Sequence, residues 1–224
     1  MSGPIAVLFD IDETLIHTGG SGARSWTWAF DHLHGVAADI GEHSSAGETD
    51  PQVGRETFRA VIGREPSCDE LGRLYTAYLC HLAEDIWTSK EYRVLDGVEE
   101  TLQQLAEAGV TLGLLSGAME GAARIKMEPA KLGRYFVFGA YGSDSPDRGE
   151  IAQLAVAKAA RLHGRGLTRS EVYVVGDTPR DIEAALRANA TPIGVATGHY
   201  TVPELRATKA DHVLTSLTEP FPGL

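Results

Sequence analysis

Three short stretches carry the residue types best suited to chemistry: Asp10-Ile11-Asp12-Glu13-Thr14, Leu114-Leu115-Ser116-Gly117 and Gly176-Asp177-Thr178-Pro179-Arg180-Asp181. Asp10 and Asp12 stand two residues apart, a spacing that puts both carboxylates on one face of an extended chain. If the three stretches met at one sheet edge, their acidic groups would repel unless something positive sat between them. A hard divalent cation, Mg²⁺, is the economical answer, because it is held by one or two carboxylates together with water and a phosphate. Ser116, with backbone N–H groups beside Gly117 at a helix start, is suited to holding phosphate oxygens. Taken singly, each group has an ordinary structural use: Asp and Thr close turns and cap helices, and Asp181 suits a first helical turn. Their joint occurrence favours a phosphate and metal site.

The elements that must position these groups are readable from hydrophobic periodicity. Residues 5–9 (IAVLF) form a short, continuous apolar run of the kind that makes a strand buried on both faces. From Gly19 to about Lys90 the pattern turns helical, with Leu71, Leu74, Tyr75, Tyr78, Leu79 and Leu82 on one face. Ser67 followed by Glu70 is a capping-box signal. After Arg93, helices and strands alternate: GVEETLQQLAEAG, then VTLGLLS; MEGAARIKMEPAKLG, then YFVFGAYG; EIAQLAVAKAARLHG, then EVYVVGD; PRDIEAALRANA, then TPIGVAT. Pro179 suits the first position of its helix. A short helix near 203–207 and a strand near 212–214 complete the pattern. Such alternation implies crossover units on a parallel sheet. The fold class is therefore α/β, a Rossmann-like parallel-sheet core over residues 1–17 and 92–224, with an inserted all-helical cap over residues 18–91.

Composition narrows the class of partner. The chain has 224 residues and a formal net charge of −11, which disfavours nucleic acid, whose binding needs a basic surface. A small anionic substrate is compatible, because a pocket can be locally positive. Cys68 and Cys80 have no metal-type spacing and read as reduced thiols. There is no secretory pattern near Met1 and no apolar run of about 18 residues, so a cytoplasmic protein without a membrane span is expected. Trp26, Trp28 and Phe30 read as helix packing, and Arg55, Arg59 and Arg64 as a solvated helix face. His17 lies close enough to the first acidic pair to reach a substrate.

In order and context, DIDET, LLSG and GDTPRD resemble three motifs of the haloacid dehalogenase-like superfamily of phosphohydrolases. The helical insert after the first motif, and the stretch AGETDPQ within it, look like the branch that contains phosphoglycolate phosphatases. The resemblance implies that Asp10 attacks phosphorus and Asp12 acts as acid and base, its backbone carbonyl also ligating Mg²⁺. It implies that Thr14 fixes the turn, that Thr14, Ser116 and Gly117 serve the phosphate, and that Asp10, Asp12, Asp177 and Asp181 serve the metal. The family also needs a cation, often in a Lys-Pro pair after the third core strand. Here DSPDRGE stands in its place. Lys126 is the preferred substitute, Lys131 and Arg148 the next choices, and Lys158 is read as facing solvent. The implied activity is hydrolysis of a small phosphorylated metabolite, phosphoglycolate-like or a sugar phosphate. A phosphomutase of the same superfamily is the runner-up, and a non-enzymatic phosphoacceptor or binding module the alternative of another class. Carbon–halogen cleavage is disfavoured because it needs no second carboxylate at Asp12.

Overall fold

A computed structural model describes residues 3–43, 45 and 47–224. Ala46, within the AGETDPQ stretch, lies outside the described residues, as do Met1 and Ser2 of the expected core. The chain opens with strand β1 (Ala6–Phe9), followed by the two-residue strand β2 (Ile16–His17). Helices α1 (Ser21–His34), α2 (Asp50–Ile62) and α3 (Cys68–Asp85) come next, and then the two-residue strand β3 (Arg93–Val94). Alternation follows with α4 (Val98–Glu107), β4 (Thr111–Ser116), α5 (Glu120–Met127) and β5 (Phe138–Tyr141). It continues with α6 (Arg148–Leu162), β6 (Val172–Gly176), α7 (Pro179–Arg187), β7 (Thr191–Val195), α8 (Val202–Arg206) and β8 (His212–Leu214).

Six of these strands form one parallel sheet in the order β5-β4-β1-β6-β7-β8. β1 is central because it is apolar on both faces. Val7 and Phe9 pack into one hydrophobic cluster and Leu8 into the other, all fully buried. From β1 the chain builds outward in both directions, so the crevice at its carboxyl end is the switch point where α/β sheets bind ligands. Pairing of Phe9 with both Leu114 and Val175 brings the ends of β1, β4 and β6 to the same edge.

The three helices α1–α3 lie between β2 and β3, whose antiparallel pairing joins the two points where the chain leaves and re-enters the sheet region. Two-residue strands are too short to show any periodicity, and the sequence reading has no counterpart for them. Capping boxes at Thr49/Gln52 and Ser67/Glu70 start α2 and α3, and Trp26 stacks on Tyr78 with centroids 4.2 Å apart. Trp26 and Phe30 are buried as expected, but Trp28 is exposed and stacks between His32 and His81 instead. The helix after LLSG ends at Met127, just before Pro129, where the sequence favours a break, and a 3₁₀ turn at Leu132–Tyr135 precedes β5. Lys158 is not simply solvated: its ammonium donates to the Gly139 carbonyl at 2.6 Å. Among the described residues no helix is long and apolar enough to cross a membrane.

Truncating the central strand should be costly. Leu8→Ala should lower unfolding stability by about 2–5 kcal/mol, because the surrounding sheet cannot collapse into the space left. Urea denaturation read by circular dichroism would show a lower midpoint with an unchanged slope.

Candidate active site

β1 stops at Phe9, so strand alternation is not what brings Asp10 and Asp12 together. The Asp10 N–H still donates to the Val175 carbonyl at 2.9 Å, which continues the ladder by one residue. The chain then turns tightly, with Leu15 N–H donating to Ile11 and Glu13 N–H to Ile16. Glu13 adopts φ 58°, a left-handed conformation that costs a non-glycine residue strain. Thr197 Oγ1 donates to the Glu13 carbonyl at 2.5 Å and holds that turn from the loop after β7. Asp10 and Asp12 thereby face one small cavity of about 110 Å³ that Ser116, Gly117, Lys126, Arg148, Asp177 and Thr178 also line. Larger grooves lie beside β5 (about 650 Å³) and between α1 and α3 (about 730 Å³), but neither gathers carboxylates with a phosphate-binding edge.

Asp177 follows β6 directly, and Asp181 sits in the first turn of α7. Thr178 caps that helix, and its N–H and Oγ1 both donate to Asp181 Oδ2, at 3.0 and 2.7 Å. Gly176 is required here, since a Cβ would lie 2.2 Å from the Asp181 carboxyl carbon. Ser116 ends β4 fully buried, its Oγ accepting the Ala118 N–H at 3.2 Å. Thr14 is buried and directs its hydroxyl to Asp177 Oδ1 at 3.4 Å. It does not line the cavity, so its place is behind Asp177 and not at the cavity surface. His17 also stays outside the cavity, with Nδ1 2.6 Å from Glu13 Oε1.

Two of the three candidate cations enter the site, by different routes. Lys126, near the end of α5, donates to Asp12 Oδ2 at 2.7 Å. Arg148, the first residue of α6, donates from Nη2 to Asp10 Oδ1 at 2.7 Å and to Asp181 Oδ1 at 2.5 Å. Lys126 thus reaches the site as expected, but against Asp12, while Arg148, one of the next choices, bridges Asp10 and Asp181. The reason is that α6, capped by Asp147, starts at the site itself. Lys131 lies in the groove beside β5, away from the carboxylates.

Sequence reading also missed the residues that close the cavity from above. Gly47–Asp50 lies over the LLSG turn: Asp50 N–H donates to the Gly117 carbonyl, and Asp50 Oδ2 accepts the Met119 N–H, both at 2.8 Å. Arg148 Nη1 reaches the Gly47 carbonyl at 3.2 Å, and Arg180 Nη2 reaches Glu48 Oε1 at 3.0 Å. A Cβ on Gly117 would meet the Glu48 carbonyl at 2.7 Å, so only glycine fits. The Thr49–Gln52 capping signal was present in the sequence, but nothing local points from it to the strand end.

The electrostatics show what the carboxylates need. Single oxygens of Asp10, Asp177 and Asp181 all lie within 4.8 Å of one another, and all three residues are buried. Burial pushes the Asp10 carboxyl up to about 7 against the pull of Arg148. Burial, reinforced by the Asp181 and Asp10 charges, pushes Asp177 up to about 9. Burial opposes the charge on Lys126, but Asp12, Tyr78 and Asp50 together outweigh it and hold its pKa above the ordinary lysine value. An oxygen-only set of buried, mutually repelling carboxylates fits a hard divalent cation, which would replace protons on Asp10 and Asp177. Gly198 leaves the space beside this set free, because a Cβ there would lie 1.9 Å from Asp177 Oδ2.

Residues 6–189 match the family model of haloacid dehalogenase-like hydrolases. The chain belongs to this family. It is 26% identical over 219 residues to the pyrophosphatase PpaX of Bacillus velezensis, covering 96% of this chain and 93% of that protein. It is 29% identical over 202 residues to a phosphoglycolate phosphatase of Agrobacterium fabrum, covering 89% and 83%. The fold matches the crystal structure of a hydrolase from Pseudomonas syringae with a TM-score of 0.72 at 22% identity, covering 95% and 94% of the two chains. The α/β fold of this hydrolase is therefore shared with a solved hydrolase structure.

Two outcomes follow from the site. Because the folded, metal-free hydrolase holds protons on Asp10 and Asp177 that the unfolded chain releases near its ordinary value of 3.8, it binds more protons than the unfolded chain above about pH 4. Its stability should then fall as pH rises toward about 9. Thermal unfolding with Mg²⁺ and with EDTA should show a larger stabilisation by the metal at about pH 8 than at about pH 5; equal shifts would contradict the assignment. Gly198→Ala should weaken Mg²⁺ binding about 10–100-fold by calorimetry, as loss of a ligand's proper surroundings does.

Proposed function

We propose that this hydrolase is a Mg²⁺-dependent phosphatase that cleaves a small phosphomonoester through an aspartyl-phosphate intermediate. The observation that carries the reading is the convergence of Asp10, Asp12, Asp177, Ser116 and Arg148 on one small cavity, with Asp181 behind it. The names of the two relatives, one a phosphoglycolate phosphatase and the other a pyrophosphatase, agree with phosphoryl transfer to water.

In this reading an Asp10 oxygen attacks phosphorus while the bond from phosphorus to the leaving oxygen breaks, and Asp12 gives that oxygen its proton. Lys126, 2.7 Å from Asp12, stabilises the carboxylate left behind. Asp12 then takes a proton from water, which attacks the aspartyl phosphate, releases orthophosphate and restores Asp10. The Arg148 guanidinium holds Asp10 in place and presents N–H donors to the transferring phosphoryl oxygens, joined by Ser116 and the Gly117 turn. Asp10, the Asp12 carbonyl and Asp177 would hold Mg²⁺, with Asp181 supporting through its contacts; bound there, the cation neutralises charge on the phosphoryl group. Asp181 has both oxygens already engaged by Arg148 and Thr178, which suits a supporting place.

Residues 18–91 act as the helical cap and residues 1–17 with 92–224 as the core, with the β2–β3 pair as the hinge between them. Closure lays Gly47–Asp50 over the LLSG turn and excludes bulk water from the reacting groups. A cavity closed in this way favours a metabolite of the size of phosphoglycolate or a small sugar phosphate over a phosphoprotein. Water is the acceptor, and the hydrolysed product should carry no phosphate, unlike the product of a mutase.

Phosphate release from p-nitrophenyl phosphate tests the reading. Asp10→Asn should abolish turnover with the circular dichroism spectrum retained, and EDTA should do the same reversibly. Arg148→Ala should lower kcat about 10²–10³-fold, the usual cost of one positioned donor, and more than Lys126→Ala does. Turnover by Asp10→Asn at the normal rate would end this mechanism.

A further inference from the structure

The cap-facing wall of the cavity carries charges that the chemistry above does not use. Glu48 and Asp50 both line it, facing the same small volume as Asp10 and Asp12. Glu48 Oε1 accepts from Arg180, but Oε2 is buried and has no hydrogen-bond partner among the described residues. A buried carboxylate oxygen without a donor is costly, so the position is built for a donor that arrives with a ligand. A second unmet group lies near Asp50 and Lys126. The Tyr78 hydroxyl is fully buried without a partner among the described residues, within reach of the charges of Asp50, Lys126 and Asp12.

The positive charge in the same cavity is already committed. Arg148 serves Asp10 and Asp181. Lys126 donates to Asp12 and is balanced further by Asp50. Once Asp10, Asp177 and Arg148 are assigned to the phosphoryl end, the wall supplied by the helical segment holds Glu48 and Asp50, with Asp50 near the Lys126 charge. A carboxylate or a second phosphate placed there would meet two carboxylates and no unpaired cation. A hydroxyl or an ammonium would supply the donors that Glu48 Oε2 lacks.

We infer that Glu48 sets substrate choice, selecting compact phosphomonoesters whose leaving group carries hydroxyl or ammonium donors and rejecting those carrying a second anionic group. This rests on the phosphatase reading and goes beyond it, since it separates the chain from the substrate named for its phosphoglycolate phosphatase relative. Arg180 orients Glu48 by holding its other oxygen, and so acts through it as a positioning residue.

The test compares kcat/KM for three small esters of similar size: phosphoglycolate, glycerol 3-phosphate and phosphoethanolamine. The wild-type protein should favour the better of the last two over phosphoglycolate by about tenfold or more, which corresponds to about 1.4 kcal/mol of discrimination. Glu48→Lys should move that ratio about tenfold or more toward phosphoglycolate, and Glu48→Gln, which keeps the shape, should shift it less in the same direction. Circular dichroism and an unfolding curve establish that each variant is folded. A wild-type preference for phosphoglycolate, or a ratio unmoved in folded Glu48→Lys, would overturn the inference. Asp10-dependent turnover of p-nitrophenyl phosphate by the wild-type protein separates the two levels. Its presence together with a preference for phosphoglycolate removes only the selectivity claim, while its absence removes the phosphatase reading and the selectivity with it.

Discussion

The repulsion among three buried carboxylates at the end of β1 is the constraint on which the rest of this structure depends. Asp10, Asp177 and Asp181 are each almost wholly removed from water and close enough to share one small ion. Burial of like charges at this separation is tolerable only if protons, a cation or a guanidinium intervenes. Arg148 meets part of that need by bridging Asp10 and Asp181 with one nitrogen. A divalent cation would meet the remainder, and the same field that disfavours bare carboxylates would favour its binding.

That constraint links the helical segment to the sheet. Arg148 also reaches the Gly47 carbonyl, so the guanidinium that neutralises Asp10 contacts the segment lying over it. Asp50 takes the Met119 N–H at the start of α5, close to the Lys126 side chain that pairs with Asp12. Gly47–Asp50 and the carboxylates at the strand ends are thus joined through α5 and α6. Movement of Gly47–Asp50 away from the LLSG turn would remove contacts to Arg148 and Met119 together. Opening and loss of a prepared site are therefore expected to be one event.

Backbone strain is present at the same edge. Glu13 occupies a left-handed conformation that glycine would adopt at lower cost, and Thr197 ties its carbonyl down from the loop after β7. Gly198, in that same loop, comes so near Asp177 that any side chain would displace a carboxylate oxygen. The turn after β1 and the loop after β7 therefore support each other across the site, with β6 between their parent strands. Strained residues at a functional edge persist where surrounding contacts over-determine them, and these contacts do so here.

The order of the six sheet strands and their helices, the two-sided burial of β1 and the gathering of DIDET, LLSG and GDTPRD at strand ends were legible in the amino-acid sequence, while the short β2–β3 pair was not. Those features are local: an apolar run sets a buried strand, a change of period sets a helix, and parallel topology then directs the strand ends to one edge. The identity of the cation beside Asp10 was not legible, because Lys126 and Arg148 both belong to helices near the site and only the direction of each helix start decides which carboxylate it meets. Glu48 and Asp50 were hidden for a related reason. Their partners Arg180, Gly117 and Met119 lie 67 or more residues away, and no short-range pattern records such a contact. The sequence by itself determined which groups could do chemistry; only the tertiary structure decided which charges face one another, because that depends on distances between segments that the chain folds together late in its own numbering.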